Sequence, residues 1–243
     1  MRLIKLMLAA LSLSLLAVNA AASTASPVSG EDYLTLDKAQ EVAPGSKVEV
    51  TEFFAYWCPH CNAFDPHLSA WVKAQGDKII FKRVPVFFHD GDDIQQKMYY
   101  ALEALGKNDT LHQSIFHAIH VDGKHLNDEA AIADFVASQG VDRAKFIGAF
   151  ESFGVQAKVQ RAGQLLSIFK VNAVPTVAID GRFETSPSIA GSKLANHPEE
   201  ELFGTTLKVM DWLVARAAKE RKSQAAVAPV VPAVSAKTSI AKK

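Results

Sequence analysis

Residues 53–61 read FFAYWCPHC and contain the only two cysteines of the 243-residue chain. The segment before them, Lys47 to Phe54, alternates and is rich in β-branched and aromatic residues, which predicts a strand. The segment after them, Asn62 to Gln75, places apolar residues at helical spacing, and Gly76 ends that helix. A second apolar strand from Ile79 to Phe88 would then complete a βαβ unit, with both cysteines at the point where strand passes into helix.

The rest of the chain predicts a helical block and a second piece of sheet. From Asp92 to about Ala162 the pattern indicates successive helices without strand signals. Val174 to Phe183 predicts two strands that are joined by a turn at Asp180-Gly181. Pro198 to Lys222 predicts a final amphipathic helix. These elements predict an α/β protein in which a helical block separates two sheet-forming parts.

The first residues have the features of a signal peptide. Arg2 and Lys5 give a positive start, Leu6 to Val18 is apolar, and small residues follow, so that cleavage after Ala20 or Ala22 fits equally well. We therefore expect an exported protein. Lys and Arg together number 26, as do Asp and Glu, so the chain has no net charge that would favour nucleic acid.

Three uses are open to the cysteine pair: metal binding, a structural disulfide and redox exchange. A structural zinc site needs four ligands, and the chain has no second cysteine pair. We interpret His112, His117, His120 and His125 as surface or partly packed residues, and we predict no metal site and no cofactor. A disulfide that closes a four-residue ring constrains the unfolded chain very little. Redox chemistry fits best, because disulfides form and persist outside the cytosol.

The position of the motif predicts two unequal sulfurs. Pro59 would be the first helical residue, where a missing N–H is harmless. Cys58 then lies at the helix N-terminus, where free N–H groups and the helix dipole stabilise a thiolate, and His60 adds a donor or a positive charge. We predict that Cys58 is exposed and acidic and that Cys61 is sheltered. A thiol with a low pKa is a good leaving group, which favours donation of the disulfide.

The stretch EFFAYWCPHC, followed by VPT at 174–176, resembles the DsbA thiol:disulfide oxidoreductases of Gram-negative bacteria over about residues 31–222. The resemblance implies a thioredoxin fold with an inserted α-helical domain. It divides the chain into a signal peptide (1–22), a thioredoxin-like domain (23–88 and 163–222) and a helical insertion (89–162). The Ala-, Val- and Pro-rich tail (223–243) lies outside this pattern and is predicted to be disordered.

The resemblance also implies roles for individual residues. Cys58 would be the nucleophilic cysteine and Cys61 the resolving one. Pro175 would be a cis-proline that faces them and exposes the backbone of Val174 to a substrate strand. Without the resemblance, Pro175 would be interpreted as a trans proline that starts an edge strand.

Five further residues form a second tier. Tyr56 and Trp57 could line an apolar groove for unfolded substrates. Glu52, Asp65 and Lys82 resemble buried charges beneath the active-site disulfide, which could relay the proton of Cys61. The alternative is that these three charges lie at strand edges in water.

We therefore predict a periplasmic dithiol oxidase that acts on reduced, unfolded exported polypeptides through a mixed disulfide. The family implies re-oxidation by a DsbB-like membrane quinone reductase, and we expect a monomer. The alternatives are a disulfide isomerase or reductase of the same superfamily, or a peptide-binding module without catalysis.

Overall fold

The computed structural model of the chain describes residues 26–88, 93–194 and 197–227. The predicted signal peptide and the part of the tail beyond residue 227 lie outside the described residues. Among the described helices, none combines the length and the apolar character that a membrane span requires.

A five-stranded mixed sheet forms the centre of the molecule, and its strands lie in the order β1-β5-β4-β2-β3. Only β2 and β3 pair in parallel, as expected for strands that are joined by a helix. The inner strand β2, between β4 and β3, is buried along almost its whole length. The strands are β1 Leu34–Thr35, β2 Val48–Phe54, β3 Ile79–Pro85, β4 Thr176–Ile179 and β5 Phe183–Thr185.

Helices cover both faces of this sheet. One face packs against the first and last helices through a core that includes Val50, Phe64 and Leu213. The other face contributes Phe53 and Ala178 to a second core, which is built largely from the inserted helices. The helices are α1 Pro59–Gln75, α2 Asp93–Ala104, α3 Asn108–His120, α4 Glu129–Ser138, α5 Arg143–Phe150, α6 Phe153–Ile168, α7 Pro187–Ala190 and α8 Glu199–Val227.

This architecture confirms the predicted α/β fold with a thioredoxin-like sheet and a helical insertion between β3 and β4. The proposed boundary of the insertion at residue 162 falls inside α6, so that one helix spans it. The short helix α7 was not predicted, although Ser186 as its N-cap and Pro187 as its first residue are typical of a helix start.

The last helix is longer than predicted and reaches Val227, so the prediction of disorder from residue 223 is wrong for its first five residues. The residues concerned, 223–227, read SQAAV and include good helix formers. The turns before them are anchored by Arg221, which donates to Asp180 and to the carbonyl oxygens of Ala43, Gly45 and Lys47. The anchored helix therefore extends beyond the point where the composition changes.

The hairpin between β4 and β5 supplies a test of the fold. Asp180 and Gly181 both have positive φ angles, 57° and 63°, as the central residues of a type I′ turn require, and the N–H of Arg182 donates to the Ile179 carbonyl oxygen across them. A Cβ on Gly181 would lie 2.5 Å from the carbonyl oxygen of Gln40. We expect Gly181→Ala to lower the free energy of unfolding by about 2 kcal/mol or more, because backbone strain and this clash add.

The matched control is Gly204→Ala in α8, where an added Cβ meets no atom within 4 Å. There the substitution should stabilise the protein by about 0.5–1 kcal/mol. Urea unfolding of both variants measures the difference. Equal effects of the two changes would contradict the role assigned to Gly181.

Candidate active site

Cys58 is the N-cap of α1. Its backbone is extended (φ −81°, ψ 116°), and the helix begins at Pro59, as the sequence predicted. The Cys58 sulfur accepts a hydrogen bond from the backbone N–H of Cys61, with an N···S distance of 3.4 Å. The sulfur thereby replaces the oxygen that usually caps a helix, and it lies at the positive end of the helix dipole.

Both cysteines are free thiols and both are buried. Cys58 retains 4% exposure and Cys61 none, so the prediction that Cys58 is well exposed is wrong. The reason is the loop before β4, which lies directly over the sulfur: the Cys58 thiol donates to the carbonyl oxygen of Val174 at 3.5 Å. The thiol of Cys58 therefore has little contact with solvent.

The two thiols differ strongly in acidity. The pKa of Cys58 is lowered from 9.0 to about 6, first because the Cys61 thiol donates a hydrogen bond to its thiolate. Burial opposes this shift, while the backbone N–H groups of Cys61 and His60 and the charge of His60 support it. The pKa of Cys61 is raised by burial and by the neighbouring Cys58. The negative charge of the reduced pair therefore resides on Cys58.

The His60 ring is exposed at the surface of α1. Its Nδ1 atom lies 2.6 Å from Oε1 of Glu199, the first residue of α8. No signal in the sequence linked Glu199 to the motif, because 139 positions separate the two residues. The contact orients the imidazole beside the N-terminus of the redox helix.

The loop that faces Cys58 contains a cis peptide bond between Val174 and Pro175, as the resemblance implies. The fold brings this loop to the cysteines across 116 positions of sequence. Val174 and Pro175 therefore belong to the same site as Cys58.

Tyr56 does not line an open groove, and that prediction is wrong. Its side chain is almost completely buried, and its hydroxyl group lies 2.9 Å from Nδ1 of His112. The ring packs edge-on against Phe54 and Phe116, inside the core of the helical insertion. Trp57, by contrast, is partly exposed, and it lies at the surface next to Phe88.

Two histidines of α3 hold the loop that carries Tyr56. His112 contacts the Tyr56 hydroxyl group, and Nε2 of His120 lies 2.8 Å from the Tyr56 carbonyl oxygen. The interpretation of His112 as a surface or partly packed residue is therefore wrong, because it is buried. Its spacing could have shown this, since His112, Phe116 and His120 follow at i, i+4 and i+8 on one helical face.

Beneath the cysteines lies a cluster of buried charges that is centred on Arg83, and not on Lys82 as predicted. Arg83 donates from Nε to Glu52 and from its terminal nitrogen to Asp65, both at 2.8 Å. Its side chain is 16% exposed, whereas that of Lys82 is 51% exposed and pairs with Glu49. The parallel register places Arg83 opposite Glu52, and strand alternation directs Lys82 to the other face.

The carboxyl groups of this cluster titrate in different ranges. Burial raises the pKa of Glu52 to about 7, partly offset by Arg83 and reinforced by Asp65 and Cys58. Burial would also raise the pKa of Asp65, but His112 and Arg83 outweigh it and the pKa is lowered. His112 Nε2 lies 3.3 Å from Asp65, although the pair is not aligned as a hydrogen bond. Glu52 is therefore the group that can change charge near neutral pH.

The structure makes Arg83, and not Lys82, the cation of this cluster, and this assignment can be tested directly. Arg83→Gln would leave two buried carboxylates without their cation, and we expect it to lower the free energy of unfolding by about 3–5 kcal/mol. Lys82→Gln removes an exposed partner and should change stability by less than about 1 kcal/mol. Urea unfolding at pH 8 measures both. Comparable losses in the two variants would rule out Arg83 as the centre of the cluster.

Known proteins share both the sequence and the fold of this chain. The family model for the DSBA-like thioredoxin domain matches residues 49–197. A thiol:disulfide interchange protein DsbA from Burkholderia cepacia is 44% identical over 205 residues, which cover 84% of this chain and 92% of that protein. The protein of the same name from Bordetella parapertussis is 40% identical over 189 residues, which cover 78% and 86%.

Solved structures give the same result. The crystal structure of Pseudomonas aeruginosa DsbA is similar with a TM-score of 0.70 and 32% identity, covering 81% of this chain and 95% of that one. The oxidoreductase DsbA from Xylella fastidiosa is similar with a TM-score of 0.68 and 31% identity, covering 78% and 97%.

Proposed function

The chain belongs to the family of DsbA-like thioredoxin-domain proteins, and on this premise we propose that it is a dithiol oxidase that donates a Cys58–Cys61 disulfide to reduced polypeptides. Thiol:disulfide exchange is the activity for which its relatives are named. The observation that carries the direction of exchange is the unequal acidity of the two thiols. Cys58 is stabilised as a thiolate by a hydrogen bond from the Cys61 thiol and by backbone N–H groups at the helix N-terminus, whereas burial raises the pKa of Cys61.

The reaction proceeds in two exchanges. A substrate thiolate attacks the Cys58 sulfur of the disulfide, the Cys58–Cys61 bond breaks, and its electron pair moves to Cys61, which takes up a proton. A second substrate thiolate then attacks the substrate sulfur of the mixed disulfide, and Cys58 leaves as a thiolate. The substrate gains a disulfide, and the protein is left with a Cys58 thiolate and a Cys61 thiol.

The geometry favours the oxidase over a reductase. Each unit by which the pKa of the thiol falls stabilises the thiolate by about 1.4 kcal/mol, which corresponds to roughly 30 mV for a two-electron couple. A pKa that falls from 9.0 to about 6 therefore favours the reduced form of the pair and makes its disulfide an oxidant. The same stabilisation makes Cys58 a good leaving group in the second exchange.

Glu52 is the residue that we propose to supply the proton of Cys61. Its pKa of about 7 allows it to hold or release a proton under the conditions of exchange. Its charge also raises the pKa of Cys61, so the protonation state of one group affects the pKa of the other. Asp65 supports Glu52 through their common partner Arg83 and remains charged.

The substrate class follows from the surroundings of Cys58. The Val174 carbonyl lies beside the sulfur, where an extended polypeptide can pair with the backbone, and the partly exposed ring of Trp57 adds an apolar contact. The features of the first 22 residues support a periplasmic location, where exported polypeptides are still reduced. The family implies that a DsbB-like membrane quinone reductase restores the disulfide.

Titration of the thiolate tests the mechanism. Thiolate absorbance of the reduced protein should rise with a midpoint near pH 6, as the lowered pKa of Cys58 requires. His60→Ala should raise this midpoint by up to roughly one unit, because a charge next to the thiolate is lost. His67→Ala is the matched control, since His67 lies on the same helix and pairs with Glu200 instead. A wild-type midpoint near 9 would refute the proposal.

Cysteine variants test the catalytic roles. Cys58→Ala should abolish oxidative folding of a reduced, disulfide-dependent protein, because no sulfur remains for attack. Cys61→Ala can still form a mixed disulfide when Cys58 is activated by a small disulfide, and it should retain substrate as a covalent complex visible on non-reducing gels. Undiminished activity of Cys58→Ala would favour a peptide-binding module. A reducing, thioredoxin-like equilibrium with glutathione would favour the reductase alternative.

A further inference from the structure

A cavity of about 280 Å³ lies where β1, β5 and the segment that joins α6 to β4 come together. Its lining includes neither cysteine, and Val174 does not contribute to it. Apolar side chains form part of the wall and include Leu34, Leu36, Phe169, Val171 and Ile189, and they alternate with polar residues. Two carboxyl groups line the cavity: that of Asp37, which pairs with Lys170, and that of Glu184 in β5.

Glu184 is buried in the sheet. It lies opposite Leu34 on one side and Ala178 on the other, so its side chain projects to the sheet face that the helical insertion covers. The residue is only 7% exposed, and Oε1 has no hydrogen-bond partner among the described residues. An unpaired polar atom in such a position is unfavourable unless something binds to it.

Glu184 lacks a cationic partner among the described residues, whereas the other buried carboxylates of the described chain have one. Glu52 and Asp65 share Arg83, and Asp180 pairs with two arginines, Arg182 and Arg221. Within the part of the chain that the structure describes, Glu184 forms no ion pair, and burial raises its pKa to about 7. The fold pairs its other buried carboxylates with cations and leaves this one facing a cavity.

The charges at the rim of the cavity do not satisfy Glu184. Lys170 lines the cavity and donates to Asp37, the other carboxylate of the lining, at 2.7 Å, so these two charges pair with each other. Lys38 also lines the cavity, and its residue is exposed to solvent. A cation that enters from outside would therefore meet one carboxylate that forms no ion pair among the described residues, that of Glu184.

We propose that this cavity binds an organic cation, an ammonium or guanidinium group on an apolar stem, with Glu184 as its counter-ion. The apolar side chains of the wall would enclose the stem, and the buried carboxylate would accept hydrogen bonds from the cationic head. A volume of about 280 Å³ corresponds to roughly nine water molecules at about 30 Å³ each, which suits a lysine or arginine side chain or a small arylalkylamine.

Two sources can supply this chemistry: a free amine, or a basic side chain of a bound polypeptide. Thr176 lines the cavity and directly follows Pro175, so the cavity adjoins the loop that covers Cys58. A polypeptide that undergoes exchange at Cys58 could therefore reach the cavity with a flanking residue. The head group required by Glu184 is the same in both cases.

The first experiment uses phenethylamine as a probe and phenethyl alcohol as its uncharged counterpart. Backbone amide shifts of the oxidised full-length protein at pH 8 should move on addition of phenethylamine at residues 34–38, 169–172 and 183–185. The alcohol should bind at least about tenfold more weakly, because it lacks the charge that Glu184 complements. Between pH 6 and pH 8 the amine should bind more tightly as Glu184 ionises.

Glu184→Gln keeps the shape of the side chain and removes its charge. We expect it to weaken phenethylamine binding at least tenfold and to remove the pH dependence, while disulfide donation by Cys58 continues. Leu34→Trp, a change at an exposed strand residue that lines the cavity, should block binding by filling the space. Because donation is measured separately, failure of this proposal is distinguishable from failure of the proposed function.

Absence of saturable shifts, equal binding of amine and alcohol, or unchanged binding in Glu184→Gln would overturn the proposal. If binding is confirmed, the natural source of the cation is determined by comparing two cysteine-containing peptides, one with arginine and one with glutamine near the cysteine. Faster exchange of arginine peptides by the wild type, lost in Glu184→Gln, assigns the site to a substrate side chain. Binding of phenethylamine without that preference assigns it to a free amine.

Discussion

The N-cap position of Cys58, where its sulfur accepts hydrogen bonds from the thiol and from the backbone N–H of Cys61, sets the chemistry of this protein. It exists because β2 ends at Phe54 and α1 begins after a short loop at Pro59, which leaves Cys58 as the cap. A serine or aspartate would cap the helix equally well, but neither can exchange a disulfide. The capping position is therefore also what makes one sulfur acidic and its neighbour, inside the helix, basic.

The N-terminus of α1 can lower the pKa of Cys58 only because the carboxylates beneath it are paired with a cation. Arg83 connects Glu52 and Asp65, and without it two carboxylates would be buried beneath the thiolate and oppose its charge. Burial of this cluster is expensive in free energy, and a buried ion pair is weak evidence for stability by itself. The arrangement is better explained by function, since it leaves one carboxyl group, Glu52, with a pKa of about 7 beside the redox pair.

Local patterns predicted the strand, the helix start and the inequality of the thiols, because each depends on residues that are close in sequence. The sequence predicts Lys82 as the cation of the charged cluster, whereas the structure has its neighbour Arg83 there. Which of the two faces Glu52 is determined by the register of β3 against β2, and composition does not reveal that register. The burial of Tyr56 and the contact of His60 with Glu199 depend on packing between distant segments. The contact of Val174 with Cys58 also joins distant segments. Local patterns therefore predict the acidity of the Cys58 thiol but not its burial.

The helical insertion is part of the redox site as well as a neighbour of it. His120 holds the Tyr56 carbonyl group and His112 holds the Tyr56 side chain, so α3 contacts the loop that leads directly into Cys58. The same His112 ring lies next to Asp65 of the charged cluster, and its neutral form is favoured by burial, which lowers its pKa. One side chain of the insertion thus contacts both the loop before the cysteines and the charges beneath them. A thioredoxin-like sheet without this insertion would lack both contacts, and the position of the loop would then depend on β2 and α1 alone.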